Sequence, residues 1–110
     1  MGKRYCLALD LIDDDALIKG YEQWHEHVWP EILESITSSG IEQMEIYRLS
    51  NRLFMIMDVN DSFSFEAKSQ ADASNEKVQE WETLMWNFQQ ALPFAKPGEK
   101  WMLMDKIFSL

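Results

Sequence analysis

The chain has one cysteine, Cys6, among 110 residues. An internal disulfide and a thiolate zinc cluster are both excluded, and the apolar run around Cys6 makes it a packing residue rather than a nucleophile. Basic residues are scarce: ten Lys and Arg against nineteen Asp and Glu give a net charge of −9. A phosphate backbone or an anionic bilayer is recognised by clustered cations, so neither nucleic acid nor a membrane surface is an expected partner. No apolar stretch approaches the roughly 20 residues of a membrane span, and the N-terminus lacks a signal-peptide pattern. A cytoplasmic protein is the default expectation. Only four glycines and three prolines occur, so the chain is ordered, and its length suits one domain over 1–110.

What the chain has in quantity is large apolar side chains: five Trp, six Phe and seven Met. Such a load in a small body points to a subunit interface as well as a core.

"RYCLALDL" over residues 4–11 reads as a strand, followed by Asp13, Asp14 and Asp15, which suit the cap of a helix through Val28. Pro30 forces a stop or kink, and "PEILESITSSG" restarts a helix that Gly40 ends. "IEQMEIYRL" and "RLFMIMDV" form a hairpin through Ser50 and Asn51. Residues 61–73 read as a connection with at most one helical turn. Residues 74–92 form a second helix capped by Ser74 or Asn75, with Val78, Trp81, Met85, Phe88 and Leu92 as its apolar stripe. A loop leads to a last strand, "WMLMDKIF". The order β-α-β-β-α-β predicts an α+β, ferredoxin-like fold, with two helices on one face of a four-stranded antiparallel sheet. "CLAL", "LFMIM" and "WMLM" are apolar on both sides. Two such sheets are therefore expected to pack face to face as a homodimer, closing a barrel around a cavity.

The densest chemistry lies in "GYEQWHEHVWPEI", residues 20–32. On a helix His25 falls about 40° and Val28 about −20° from Tyr21, so Tyr21 and His25 share the inward stripe. His27 falls about 200° from His25, which is wrong for gripping one ion, because helical ligand pairs sit at i and i+3 or i+4. No metal site is expected. His25 has two readings that spacing leaves open: a satisfied core imidazole, or a proton-transfer group beside Tyr21. His27 reads as a solvated residue. Glu82 stands at the edge of the second helix's apolar stripe, either leaning into water or entering a cavity where desolvation raises its pKa. Trp81 alone reads as core.

Four stretches together resemble the L-rhamnose mutarotase family: "Y-x-x-x-H-x-x-V-W-P-E" from Tyr21 to Glu31, "EIYRLSNRLFMIMDV", "VQEWETLM" and the terminal "MDKIFSL". The resemblance implies a small dimeric ferredoxin-like enzyme that interconverts the anomers of a 6-deoxy-L-hexose without a cofactor. It places the family's active-site tyrosine and histidine on Tyr21 and His25, and the first of its two tryptophans on Trp81. L-rhamnose enzymes typically carry a second tryptophan where this chain has Glu82, and arginine where it has Trp24. Both departures tilt the expectation toward L-fucose, with L-rhamnose second. Expected roles are acid/base catalysis for His25 and Tyr21, and substrate binding for Trp81, Glu82, Trp24 and Trp29. The same architecture carries unrelated functions, so a non-catalytic small-ligand-binding dimer and a small oxygenase of the dimeric α/β-barrel type stand as alternatives.

Overall fold

A computed structural model describes residues 2–110. The elements are β1 (Lys3–Leu11), α1 (Asp15–Trp24), α2 (Pro30–Ser38), β2 (Ile41–Leu49), β3 (Arg52–Val59), α3 (Phe65–Ala73), α4 (Glu76–Met85), β4 (Gln89–Gln90) and β5 (Met102–Leu103). Strand order in the antiparallel sheet is β2-β3-β1-β4, and β5 also pairs with β1. This is the ferredoxin-like arrangement that the element order predicts.

Alternation along the central strands divides the sheet into two faces. Leu7, Leu9 and Leu11 of β1 and Leu53, Met55, Met57 and Val59 of β3 are buried on the face covered by the helices. Cys6 and Ala8, opposite Ile56 and Phe54 in the β1–β3 register, lie on the other face and are only half-buried. Among the described residues, no helix lies over that second face. At its two ends, cross-strand pairs bind bidentately: Arg4 to Asp58 at 2.8 and 3.1 Å, and Arg52 to Asp10 at 2.7 and 3.2 Å.

Local chemistry explains most boundaries. Asp14 accepts from the Leu17 amide at 3.0 Å and starts α1. Asn75, rather than Ser74, caps α4 by accepting from the amides of Lys77 and Val78. Pro30 opens α2. Gly40 closes α2 at φ +102°, where a Cβ would lie 2.5 Å from Asn60 Oδ1.

Four elements differ from the sequence expectation. The first helix ends at Trp24 instead of Val28. The His25 amide splits between the carbonyls of Tyr21 and Glu22, and its imidazole occupies the Tyr21 carbonyl as well, so the turn tightens and the chain leaves the helix. The second helix ends at Met85, not Leu92. The Asn87 side chain takes the Leu84 carbonyl at 3.1 Å, and the Phe88 carbonyl then accepts from Ile12, hooking the chain onto the sheet as β4. Residues 65–73 are a two-turn helix with no buried residue, so no apolar stripe announces it. It is held by the Ser64 cap and by a Lys68–Asp72 ion pair at 2.7 Å one turn apart. The last strand is shorter than expected: its final sheet bond is Met104 amide to Cys6 carbonyl, and Ile107, Phe108 and Leu110 lie exposed.

Candidate active site

A cavity of about 620 Å³ opens between the helix-covered sheet face and α1, α2 and α4. It lies within one chain, on the sheet face opposite the bare one, and is distinct from the hollow expected between two packed sheets. The cavity lining includes Tyr21, His25, Trp81, Glu82, Met85 and Gln89.

Tyr21 comes from the last turn of α1 and is buried. Burial pushes its phenol up to about 12, and a hydrogen bond from the Gln89 side chain only partly opposes this. The phenol therefore keeps its proton throughout the working range and is a donor. His25 caps the same helix, its ring 4.3 Å from that of Tyr21 between centroids. Its Nδ1 lies 2.9 Å from the Tyr21 carbonyl oxygen. A carbonyl only accepts, so Nδ1 carries the proton and Nε2 is the nitrogen with a free lone pair. Burial lowers the imidazole from its ordinary pKa of 6.5, with the bond to Tyr21 pulling the other way. Near neutrality the ring is an uncharged base with a fixed tautomer.

Trp81 is 8% exposed and forms an apolar wall. Trp24, His25 and Trp29 all meet it edge-on, with centroids 6.3, 5.7 and 5.1 Å away. Trp24 and Trp29 themselves are not among the residues of the cavity wall; they touch it through their contacts with Trp81. Glu82 is half-buried and lines the cavity. His27 is exposed and takes no part.

Sequence reasoning missed Gln89, Lys100 and Trp101. Gln89 reads as one more residue of a long helix, and Lys100 and Trp101 as loop and strand start; only the folded chain carries them to the same cavity. The Lys100 ammonium sits 5.1 Å over the Trp86 ring. Burial lowers its pKa while the Glu82 charge raises it. The cavity thus has an apolar wall at Trp81 and Met85, a neutral base and a neutral phenol side by side, and a carboxylate with an ammonium in the same lining. Among the described residues, no group of three or more His, Cys, Asp or Glu side chains is placed to hold a metal ion. No helix is long and apolar enough to cross a membrane.

The fold and the cavity define a small α+β domain whose hollow sets an imidazole and a phenol beside an apolar wall. The sequence pattern of the L-rhamnose mutarotase family matches residues 4–110, and the chain belongs to that family. It is thereby a carbohydrate mutarotase, an isomerase. An L-fucose mutarotase of Xanthomonas campestris pv. campestris is 47% identical over 110 residues, covering 98% of this chain and 88% of that protein. A UPF0734 protein of Dictyostelium discoideum is 37% identical, covering 98% and 90%. Among solved structures, the L-rhamnose mutarotase of Formosa agariphila superposes with a TM-score of 0.72 at 21% identity, covering 98% of both chains. Tetracenomycin F2 cyclase of Streptomyces glaucescens, a type-II polyketide cyclase, superposes at 0.63 with 14% identity, covering 98% and 96%. At these identities the two structures show the shared fold alone.

Proposed function

We propose that this protein interconverts the α and β anomers of L-fucose, with L-rhamnose as the slower substrate, by acid/base opening of the sugar ring. The observation that carries this reading is the His25 imidazole, locked at Nδ1 by the Tyr21 carbonyl 2.9 Å away and kept uncharged beside a protonated phenol in one cavity. His25 Nε2 takes the proton of the anomeric hydroxyl as the bond from the anomeric carbon to the ring oxygen breaks. Tyr21 gives its proton to that ring oxygen and regains one from the imidazolium. The net result is an aldehyde and one proton moved from the anomeric to the ring oxygen. The aldehyde rotates, and the reverse transfers close the ring on its other face. Each proton-transfer group contributes roughly 10²–10⁴-fold.

Trp81 meets the sugar's C–H face, and Glu82 accepts hydrogen bonds from its hydroxyls. Trp24 and Trp29 bind substrate only through Trp81, whose plane they fix. The preference for L-fucose is supported by the 47% identical relative that carries that name, and by Glu82 in the cavity lining.

The reading extends to a homodimer formed by the helix-free sheet face. Cys6, Ala8, Phe54 and Ile56 make its apolar centre, and the Arg4–Asp58 and Arg52–Asp10 pairs bound it at either end. A two-fold axis across this face sets like centre on like centre and leaves the charges at the rim.

Saturation-transfer NMR with L-fucose and L-rhamnose side by side tests the activity. Catalysed exchange faster for L-fucose is the expected result. Binding of either sugar without faster exchange overturns the reading in favour of a non-catalytic ligand-binding protein.

A further inference from the structure

Two polar side chains are buried among the described residues, Asp10 and Gln89; Arg52 binds Asp10, whereas the mechanism leaves the chemistry of Gln89 unused. It sits in β4, paired with Leu11 of the central strand, and is 5% exposed. Its side chain lines the cavity together with Tyr21, His25, Trp81 and Glu82. The amide has two ends with different fates. One end acts on the Tyr21 phenol, lowering its pKa against the rise that burial causes. The other, the carbonyl oxygen Oε1, is buried and has no hydrogen-bond partner among the described residues.

A buried acceptor left unpaired is costly, and folded proteins satisfy nearly all of theirs. Gln89 belongs to the cavity lining, so the group placed to meet this acceptor is a donor on whatever fills the cavity. Only a donor lowers the pKa of a phenol in this way, so Nε2 is the end that acts on Tyr21. The phenol oxygen therefore accepts from Gln89, and its own O–H must donate elsewhere.

We propose that Gln89 determines sugar specificity: its buried Oε1 accepts from one ring hydroxyl of the substrate, while its amide N–H group holds the Tyr21 phenol with the proton turned toward the sugar. This rests on the mutarotase reading and deepens it. A site that hydrogen-bonds a given hydroxyl discriminates against analogues lacking it, because the acceptor is then left unpaired in the complex.

The test is anomer exchange by saturation-transfer NMR for wild type, Gln89→Met and Gln89→Glu, on L-fucose and on analogues each lacking one ring hydroxyl. Wild type is expected to act poorly on one of these analogues. Gln89→Met is expected to lose about tenfold to a hundredfold in kcat/KM on L-fucose, yet less than about threefold on that same analogue, whose hydroxyl is already gone. Gln89→Glu keeps an acceptor and is expected to keep the discrimination. Methionine fills a similar volume without an unpaired carbonyl, so the ligand-free melting temperature of Gln89→Met is expected to equal or exceed that of wild type. A loss of equal size on every sugar, or no loss on any, overturns the role of Gln89 while leaving the mutarotase reading in place. A wild type inert toward all the sugars overturns that reading, and this one with it.

Discussion

His25 donates from Nδ1 to the carbonyl oxygen of Tyr21, 2.9 Å away and one turn earlier in the chain. A single bond thereby fixes the tautomer of the base, places its ring beside the phenol, and helps to end the helix that carries both. Removing the imidazole while keeping a similar volume, as in His25→Gln, is expected to lower kcat by about 10²–10⁴-fold with little change in KM. NMR exchange rates across sugar concentration separate the two constants. A His25→Gln enzyme at full speed would assign the proton transfer elsewhere.

The pH dependence of the rate follows from the direction of the His25 shift. Burial lowers its pKa below 6.5, so the neutral base persists to a more acid pH than free imidazole allows. Activity is expected to hold from neutrality down past pH 6.5 and to fall only below it. Stability behaves likewise, since the unfolded chain protonates first: the contribution is complete above 6.5 and is lost as pH falls through the folded-state value. Rate profiles and denaturant melts in the same buffers check both halves.

Tyr21 acts at the opposite end of the scale. Its phenol is raised to about 12 by burial, while in the unfolded chain it ionises near 10. The folded state is thus favoured by a contribution that is complete below pH 10 and lost as pH rises toward 12. Tyr21→Phe is expected to flatten this alkaline loss and to reduce kcat by about 10²-fold or more. Melting curves from pH 9 to 12 for the two proteins provide the comparison.

Trp81 is both wall and keystone, since Trp24, His25 and Trp29 all pack against its ring. Trp81→Ala is expected to destabilise the fold by about 3–5 kcal/mol. Trp81→Phe keeps an apolar ring and is expected to fold, with KM raised more than kcat is lowered. Urea denaturation gives the first number and exchange kinetics the second.

A charge placed in the middle of the bare sheet face tests the dimer. Phe54→Glu is expected to shift the protein from dimer to monomer in size-exclusion chromatography with light scattering. The substitution faces away from the cavity, so a wild type that is already monomeric would dismiss the interface without touching the site.

Much of this was legible in residues alone, wherever a local rule operates. Asp14, Asn75, Pro30 and Gly40 mark helix ends through bonds or torsions made within a few residues, and two-residue alternation places Leu53, Met55 and Met57 on one face. The pairing of Tyr21 with His25 was legible too, because it spans a single turn. Periodicity failed where side chains compete with backbone. The imidazole of His25 and the amide of Asn87 each take a helical carbonyl, and each helix stops short of its apolar pattern.

The chain's own order of residues determined the strand sequence, the caps and the neighbouring phenol and imidazole, since all of these depend on contacts between near neighbours. Only the tertiary structure decided that the hollow lies under the helices, that Trp24 and Trp29 pack against Trp81, and that Gln89 and Lys100 reach the same wall. Those facts depend on where β4 and the segment before β5 dock against β1. No spacing along the sequence encodes that docking, because it joins the two ends of the chain through a sheet that exists only once it is folded.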